Sequence, residues 1–452
     1  MSRLYNRDTS ATDIVEQLKV HDTDSYAPND RLQNPKSSRS CHRSVPGSRA
    51  RAASHSSEKR TTTQRRYTVH NMQHARSERA PADHLVQRYS PTDLDPSIRQ
   101  KYVLVTGGAG YIGSHTVVEL LTVGYSIVVM DNMCNSHLEA LRRAERLAGR
   151  PVEFFKGDVT CEADLERCFS LYRFWAVIHF AAIKAVGEST RIPLEYYYNN
   201  VTGSINLLRV MKRYNVKNLV FSSSATVYGE PDVTPVDETA RVGPVTNPYG
   251  RTKLFVEELL RDLCNSDTEW NVCLLRYFNP VGAHPSGMIG EHPQGIPNNL
   301  LPYVIRVLQG SLPHVYVYGD DYDTVDGTGV RDYIHVCDLA TGHVAALQKL
   351  QKKPGCVSYN LGTGVGYSVM EIIHAMEKAT LRKIPFKVVD RRPGDIAICT
   401  ADASLANREL GWYPTRTMED MCEDMWRWTR RNPKGYEGQS LDEDDNDSDN
   451  TA

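Results

Sequence analysis

Short apolar runs and longer amphipathic stretches alternate along the middle of the chain. Mainly apolar runs fall at 102–106, 126–131, 151–155, 175–181, 217–223 and 271–278, with amphipathic stretches between them, as at 113–123, 136–148, 199–214 and 248–264. The first pattern predicts buried strands, the second helices with one apolar face. Alternation at this rhythm predicts an α/β fold: a Rossmann-type doubly wound parallel sheet with helices on both faces. After residue 280 the rhythm breaks into Gly- and Pro-rich segments, NPVGAHPSG, GEHPQGIPNN and DGTGVRDY. Such segments suit the binding loops of a smaller C-terminal α/β domain. No fixed-period repeat is present, which argues against a solenoid.

The ends read differently. From Leu32 to Ala80 there are eleven Lys/Arg, two Glu and almost no aliphatic residues. That stretch buries too little apolar area to offset its ordering entropy, so residues 1–100 are expected to be a disordered basic Ser/Arg-rich extension. Asp8, Asp13 and Glu16 argue against a mitochondrial presequence, and no secretory apolar segment is present. Residues 437–452, with DEDDNDSD, are expected to form an acidic disordered tail.

Composition changes this picture little. With glycine counted and tyrosine set aside, roughly 41% of the 452 residues are apolar, against about 45–50% in ordinary globular chains. The deficit matches the two polar ends. A net charge of −2 gives no reason to expect nucleic-acid binding. Ten cysteines lie scattered from Cys41 to Cys422 without a CxxC, so no metal is expected and a reducing cytoplasm is the natural home. The strongest apolar run, Phe174–Ile183, is too short to span a membrane.

Candidate chemistry begins at the first strand. Lys101-Tyr-Val-Leu-Val-Thr-Gly-Gly-Ala-Gly-Tyr-Ile-Gly-Ser-His-Thr reads as strand, glycine turn and helix start. Gly107 lets the chain turn, Gly110 admits a pyrophosphate to the backbone, and Gly113 lets helix pack on strand, with the helix N-terminus facing the phosphates. A second strand ends in Asp131, eighteen residues after Gly113. A carboxylate there accepts both adenosine ribose hydroxyls and repels a 2′-phosphate, favouring NAD over NADP.

Tyr249 and Lys253 lie at i and i+4 in PYGRTK, one helical turn apart on one face. A free tyrosine, with a pKa of about 10, is a poor base near neutrality. A nearby ammonium and a bound nicotinamide cation are expected to favour the phenolate. Upstream, NLVFSSSATVYG is a strand ending in hydroxyls, and Ser224 there can hold a substrate alcohol against Tyr249.

Residues 101–436 resemble the UDP-galactose 4-epimerase family of extended short-chain dehydrogenases/reductases. The resemblance rests on VTGGAGYIGSHT, DNMCNS, HFAAIKAVGES, PLEYYYNN, FSSSATVYG, NPYGRTK, LRYFNPVGAHPSG, GVRDYIHV and RRPGD. It implies interconversion of UDP-glucose and UDP-galactose at C4 through a 4-keto sugar, with NAD regenerated each cycle. It further implies Tyr249 as acid/base, Lys253 as its electrostatic partner and a ribose ligand, and Ser224 as proton guide. Tyr111, Ile112, Asp131, Asn132, Asn135, Ser136, Asp158, Val159, Phe180, Lys184 and Asn199 would line NAD. Phe278 and Asn279 would lie beside nicotinamide and diphosphate, Arg331 and Arg392 would clamp the UDP phosphates, and Asp395 would hold the uridine ribose. In relatives the position of Cys399 lies against the sugar C2 substituent, and a cysteine there resembles the broader type that also accepts N-acetylhexosamines.

Three further expectations follow from that resemblance. Residues 101–280 would form the NAD-binding Rossmann domain, and residues 281–436 mainly the UDP-sugar domain, with some segments returning to the first sheet. The helices at 199–214 and 250–264 would pair across a homodimer axis. Sugar-nucleotide dehydratases and decarboxylases share the fold and the YxxxK. Many of them carry an acid just after the strand-end hydroxyl, where this chain has Ala225 and Thr226. A catalytically inactive NAD-binding scaffold would usually have lost Tyr249 or Lys253.

Overall fold

Six strands and five longer helices alternate through the first half of this computed structural model, with two short helices, Val186–Ser189 and Pro193–Tyr197, between the fourth and fifth strands. The strands are β1 (Tyr102–Thr106), β2 (Ser126–Asp131), β3 (Glu153–Lys156), β4 (Phe174–His179), β5 (Asn218–Ser224) and β6 (Asn271–Tyr277). The helices are α1 (Tyr111–Val123), α2 (Leu138–Ala148), α3 (Glu162–Leu171), α4 (Gly203–Arg213) and α5 (Pro248–Ser266). All strands but β3 are buried along most of their length, as strands covered on both faces must be. The structure describes residues 98, 100–392 and 394–437, so the basic extension apart from residues 98 and 100, and the acidic tail after Glu437, lie outside the described residues.

The second half continues with β7 (Asn279–Val281), α6 (Leu300–Leu308), β8 (Val315–Tyr318), β9 (Val330–His335) and α7 (Val336–Gln351). It ends with β10 (Cys356–Leu361), β11 (Gly366–Ser368), α8 (Val369–Thr380), β12 (Phe386–Val389), β13 (Ile398–Cys399), α9 (Ser404–Leu410) and α10 (Met418–Arg431). The main sheet has the order β10-β6-β5-β4-β1-β2-β3 and every pair in it is parallel. The order reverses between β1 and β4, and ligands of such sheets bind in the crevice outside the strand C-termini at that point. The glycine turn after β1 and the loop after β4 stand on its two sides.

One apolar layer, with Val103, Val117, Leu121 and Leu347, covers one face of this sheet. Another, with Leu104, Leu207, Met211, Leu260 and Trp270, covers the opposite face. In the second lobe β9 is central, antiparallel to β11 and parallel to β13 and β7, while β8 and β12 form a separate parallel pair. Helices α8 and α10 pack there around Ile372, Met376, Met421 and Met425, each started by a capping box, Ser368 with Glu371 and Thr417 with Asp420.

Element bounds differ from the hydrophobic pattern where side chains intervene. The run at 151–155 becomes a strand only from Glu153, because the Val152 N–H donates to the Glu145 carboxylate at 2.7 Å instead of a ladder. The run at 175–181 stops at His179 because the Phe180 and Ala181 N–H groups both turn back to the Thr106 carbonyl. The stretch 199–214 opens with a π-helical turn, Tyr198–Thr202, before α4. Such turns often mark functional positions.

Candidate active site

The glycine turn is a close-packed cradle. Gly107 has φ +70°, and a Cβ there would stand 2.7 Å from the Ala181 nitrogen. A Cβ on Gly113 would stand 2.5 Å from the Gly107 carbonyl, so α1 packs against the turn only without a side chain. At Gly110 the one close neighbour is the Gly107 carbonyl at 3.3 Å, which leaves the other side open for a phosphate beside the α1 N-terminus.

Asp131 ends β2 with its carboxylate fixed from three sides. Oδ2 accepts from the Ala109 N–H at 3.1 Å, and Oδ1 accepts from the Met133 N–H at 3.0 Å and the Ser136 hydroxyl at 2.8 Å. Ser136 is therefore buried behind Asp131 and acts by orienting it. The Asn132 amide donates to Asp158 at 2.9 Å, while Asn135 is exposed. Burial opposes charge on Asp158, but the Asn132 amide and the Thr160 hydroxyl and N–H outweigh it and hold the carboxyl below its ordinary range. Val159 is buried against Gly203, where a Cβ would meet it at 2.9 Å. Cradle, helix end and carboxylate fit a dinucleotide.

The candidate reacting groups come from β5 and α5. Asn247 caps α5 by accepting the Gly250 N–H at 2.8 Å, and Pro248 opens the helix, so Tyr249 sits in the first turn and Lys253 one turn later. Ser224 ends β5 and caps the 3-10 turn Ala225–Tyr228, accepting from the Thr226 N–H at 3.2 Å and the Thr226 hydroxyl at 3.0 Å. Its own hydroxyl hydrogen is left for Tyr249, with which it is hydrogen-bonded.

The two titrating groups lie further toward neutrality than the pattern alone suggests. Burial pushes the Tyr249 phenol up to about 12, against the opposing pull of the Ser224 hydrogen bond. Burial pushes Lys253 down to about 7, and its Nζ donates to the Ser222 carbonyl at 2.6 Å. The protein's own groups thus do not favour the expected phenolate.

A buried polar network stands directly behind Ser224. The Ser223 hydroxyl donates to Glu257, and Arg276 holds the same carboxylate with Nε at 3.0 Å and Nη2 at 2.7 Å. Arg276 also donates to the Tyr228 hydroxyl at 2.9 Å, and Tyr228 to Asn360 at 2.6 Å. Strands β5, β6 and β10, helix α5 and the 3-10 turn are thereby tied together behind the site.

The remaining cofactor candidates line the crevice. The Tyr111 hydroxyl donates to the Gly282 carbonyl at 2.7 Å, Ile112 follows it in α1, and Phe180 rests 4.8 Å from the His343 ring. Lys184 Nζ lies 5.7 Å from the Tyr111 ring centre and 3.1 Å from Glu291. Asn199 is half-buried in the π-helical turn. The next residue, Asn200, is the one the fold uses: its amide accepts from the Ile183 N–H at 2.9 Å and donates to the Ile183 carbonyl at 3.0 Å and to Thr252 at 2.9 Å. Asn200 was not singled out by the sequence; only the repeated asparagine in YYYNN hints at it.

At the far end, Phe278 and Cys399 are buried in one cluster with Val227, Tyr228, Val236 and Ala401, which joins the 3-10 turn after Ser224 to β13. Cys399 stands opposite Arg331 in the β13–β9 register, and burial pushes its thiol up to about 11. Asn279 is exposed at the start of β7, its amide donating to the Asp332 carbonyl at 2.8 Å. Arg331 Nη1 donates to the Val330 carbonyl at 2.8 Å. Arg392 pairs with Asp395 at 2.9 Å and lies 4.6 Å over the Tyr318 ring. Arg331 is therefore carried by strand β9 and Arg392 by the loop before β13, and Arg392 and Asp395 are brought together. Among the described residues no group of three or more His, Cys, Asp or Glu could hold a metal ion, and no helix is long and apolar enough to cross a membrane.

Residues 103–362 match the model of the NAD dependent epimerase/dehydratase family. The chain is 59% identical over 344 residues to the UDP-glucose 4-epimerase of Mus musculus, covering 75% of this chain and 99% of the relative. It is 57% identical over 334 residues to the UDP-glucose 4-epimerase of Bacillus subtilis (strain 168), covering 74% and 98%. Among solved structures, the UDP-glucose 4-epimerase from Bifidobacterium longum in complex with NAD+ and UDP superimposes with a TM-score of 0.72 at 55% identity, covering 74% of this chain and 99% of that one.

Proposed function

Because the chain belongs to the NAD dependent epimerase/dehydratase family, we propose that it interconverts UDP-glucose and UDP-galactose by inverting C4 through a 4-keto sugar, with NAD as its cofactor. The observation that carries the chemistry is the meeting of Ser224 and Tyr249 at the C-terminal edge of the parallel sheet, with Lys253 one turn behind. Bound NAD supplies the hydride acceptor and donor.

In this reading Tyr249 takes the proton of the sugar 4-hydroxyl and later returns it. Ser224, its oxygen already accepting twice from Thr226, turns its hydrogen toward the Tyr249 oxygen or the substrate alcohol. Lys253 places a cation behind the ring and reaches for the cofactor ribose. Gly107, Gly110, Gly113 and the head of α1 hold the pyrophosphate, and Asp131, set by Ser136, takes the adenosine ribose. Phe278 and Asn279 border the reacting end. Arg331 and Arg392 anchor the UDP phosphates bidentately and Asp395 the uridine ribose, so the ketone can turn over without leaving. Residues 101–280 then serve NAD and residues 281–436 mainly UDP-sugar, apart from β10.

Exposed Leu194 of the short helix Pro193–Tyr197, Tyr198 of the π-turn, Ile205 of α4 and Phe255 of α5 support a homodimer through α4 and α5. The nine described cysteines are free thiols, which suits a reducing cytoplasm. The test is purified protein with no added NAD, offered UDP-galactose and UDP-N-acetylgalactosamine separately. UDP-glucose should form from the first; no conversion overturns the reading.

A further inference from the structure

Resting on the NAD reading above, we infer that Glu291 is a positioning residue that latches Lys184 across the mouth of the cofactor crevice and slows the loss of NAD. The Glu291 side chain is 8% exposed and lies 3.1 Å from Lys184 Nζ, which is half exposed in the loop after β4. That same Nζ lies over Tyr111, the first residue of the helix whose N-terminus meets the phosphates. Two segments from different halves of the chain therefore close over the head of α1 through one ion pair.

Each side of the closure is braced on its own. Asn200 holds the backbone of Ile183, next to Lys184, through two hydrogen bonds. On the opposite side the Trp428 indole donates to the Glu291 carbonyl at 3.2 Å. The Tyr436 hydroxyl, in turn, accepts the Gly290 N–H at 3.1 Å and donates to its carbonyl at 3.0 Å. A carboxylate repels a diphosphate, so Glu291 is no ligand of the cofactor. Its use is to fix a long, flexible cation that otherwise samples many rotamers at the entrance.

The experiment measures exchange of bound NAD against excess radiolabelled NAD. Glu291→Gln should release NAD roughly fivefold faster, the size expected of a partly exposed ion pair. Lys184→Met should release it at least as fast, and adding Glu291→Gln to Lys184→Met should change nothing further. Salt should speed release from the wild type more steeply than from Glu291→Gln. Glu291→Asp should recover part of the retention. If Glu291→Gln fails to fold, salt dependence lost in Lys184→Met but kept in wild type carries the test. NAD-loaded Glu291→Gln that exchanges at the wild-type rate overturns the latch alone. Wild-type protein that carries no NAD overturns the cofactor reading and the latch with it.

Discussion

Lys253 Nζ lies 6.0 Å from the centre of the Tyr249 ring, yet its shortest hydrogen bond, 2.6 Å, goes to the Ser222 carbonyl. The Nζ is thereby pinned near the end of β5. In the proposed mechanism, proton exchange with the substrate is then left to Tyr249 and Ser224.

Tyr249→Phe should retain the fold and bound NAD while losing epimerisation by about 10²–10⁴-fold, the usual worth of a positioned acid/base. Turnover of UDP-galactose and the NAD content of the denatured protein measure the two effects separately. Near-normal turnover would refute the assignment.

Lys253 should make the stability of the NAD-free protein depend on pH. Its folded pKa is depressed to about 7 from 10.5. Between those values the unfolded chain binds a proton that the native protein does not, so stability rises with pH across that window. Below about 7 both states are protonated and the full cost of burying the ammonium is present. The wild type minus Lys253→Met difference in unfolding free energy, from urea titrations, should rise from pH 7.5 to 9.5 with a slope of up to about 1.4 kcal/mol per pH unit. Parallel curves would contradict the buried, readily neutralised lysine.

Cys399→Tyr should selectively remove turnover of UDP-N-acetylgalactosamine and spare UDP-galactose. The thiol is buried in one cluster with Phe278 and Val227 and stands opposite Arg331, so in the proposed binding mode a phenol there would take volume from the sugar. Forcing a group into too small a space costs about 1–3 kcal/mol. Wild-type protein that turns over UDP-galactose but ignores the N-acetylated sugar would show that another residue closes the space.

Arg276→Met should destabilise the protein by up to about 3–5 kcal/mol, because it leaves the buried Glu257 carboxylate with only the longer Arg261 contact at 3.4 Å and the Ser223 hydroxyl. The double variant Arg276→Met/Glu257→Leu should recover much of that loss. Urea unfolding of the singles and the double measures it; a double variant as unstable as the single would mean that packing, not charge, holds these strands.

Six of the seven strands of the central sheet were legible because each is built on a mainly apolar run, whereas β10, with Ser358 and Asn360 inside it, was not singled out. The glycine turn and the Tyr249–Lys253 spacing were legible because local geometry alone fixes them. Less legible was what depends on distant partners. Asn200 works through Ile183 and Thr252, each far along the chain. The Glu257–Arg276 pair joins a helix to the strand after it, and nothing in either segment names the other as its partner.

Strand β10 pairs with β6 only after the whole of β7 through α7 has been made, Val272 meeting Cys356 in parallel register. On the ribosome, β6 is therefore finished long before its outer neighbour exists. Its apolar run, Val272–Leu275, meanwhile presents an open sheet edge. The nascent chain passes through a stage at which β6 can be capped by the wrong strand, from its own chain or a neighbour's, before β10 arrives. Substitutions that slow the making or folding of residues 279–355 should thus lower the yield of soluble protein out of proportion to their effect on the finished molecule.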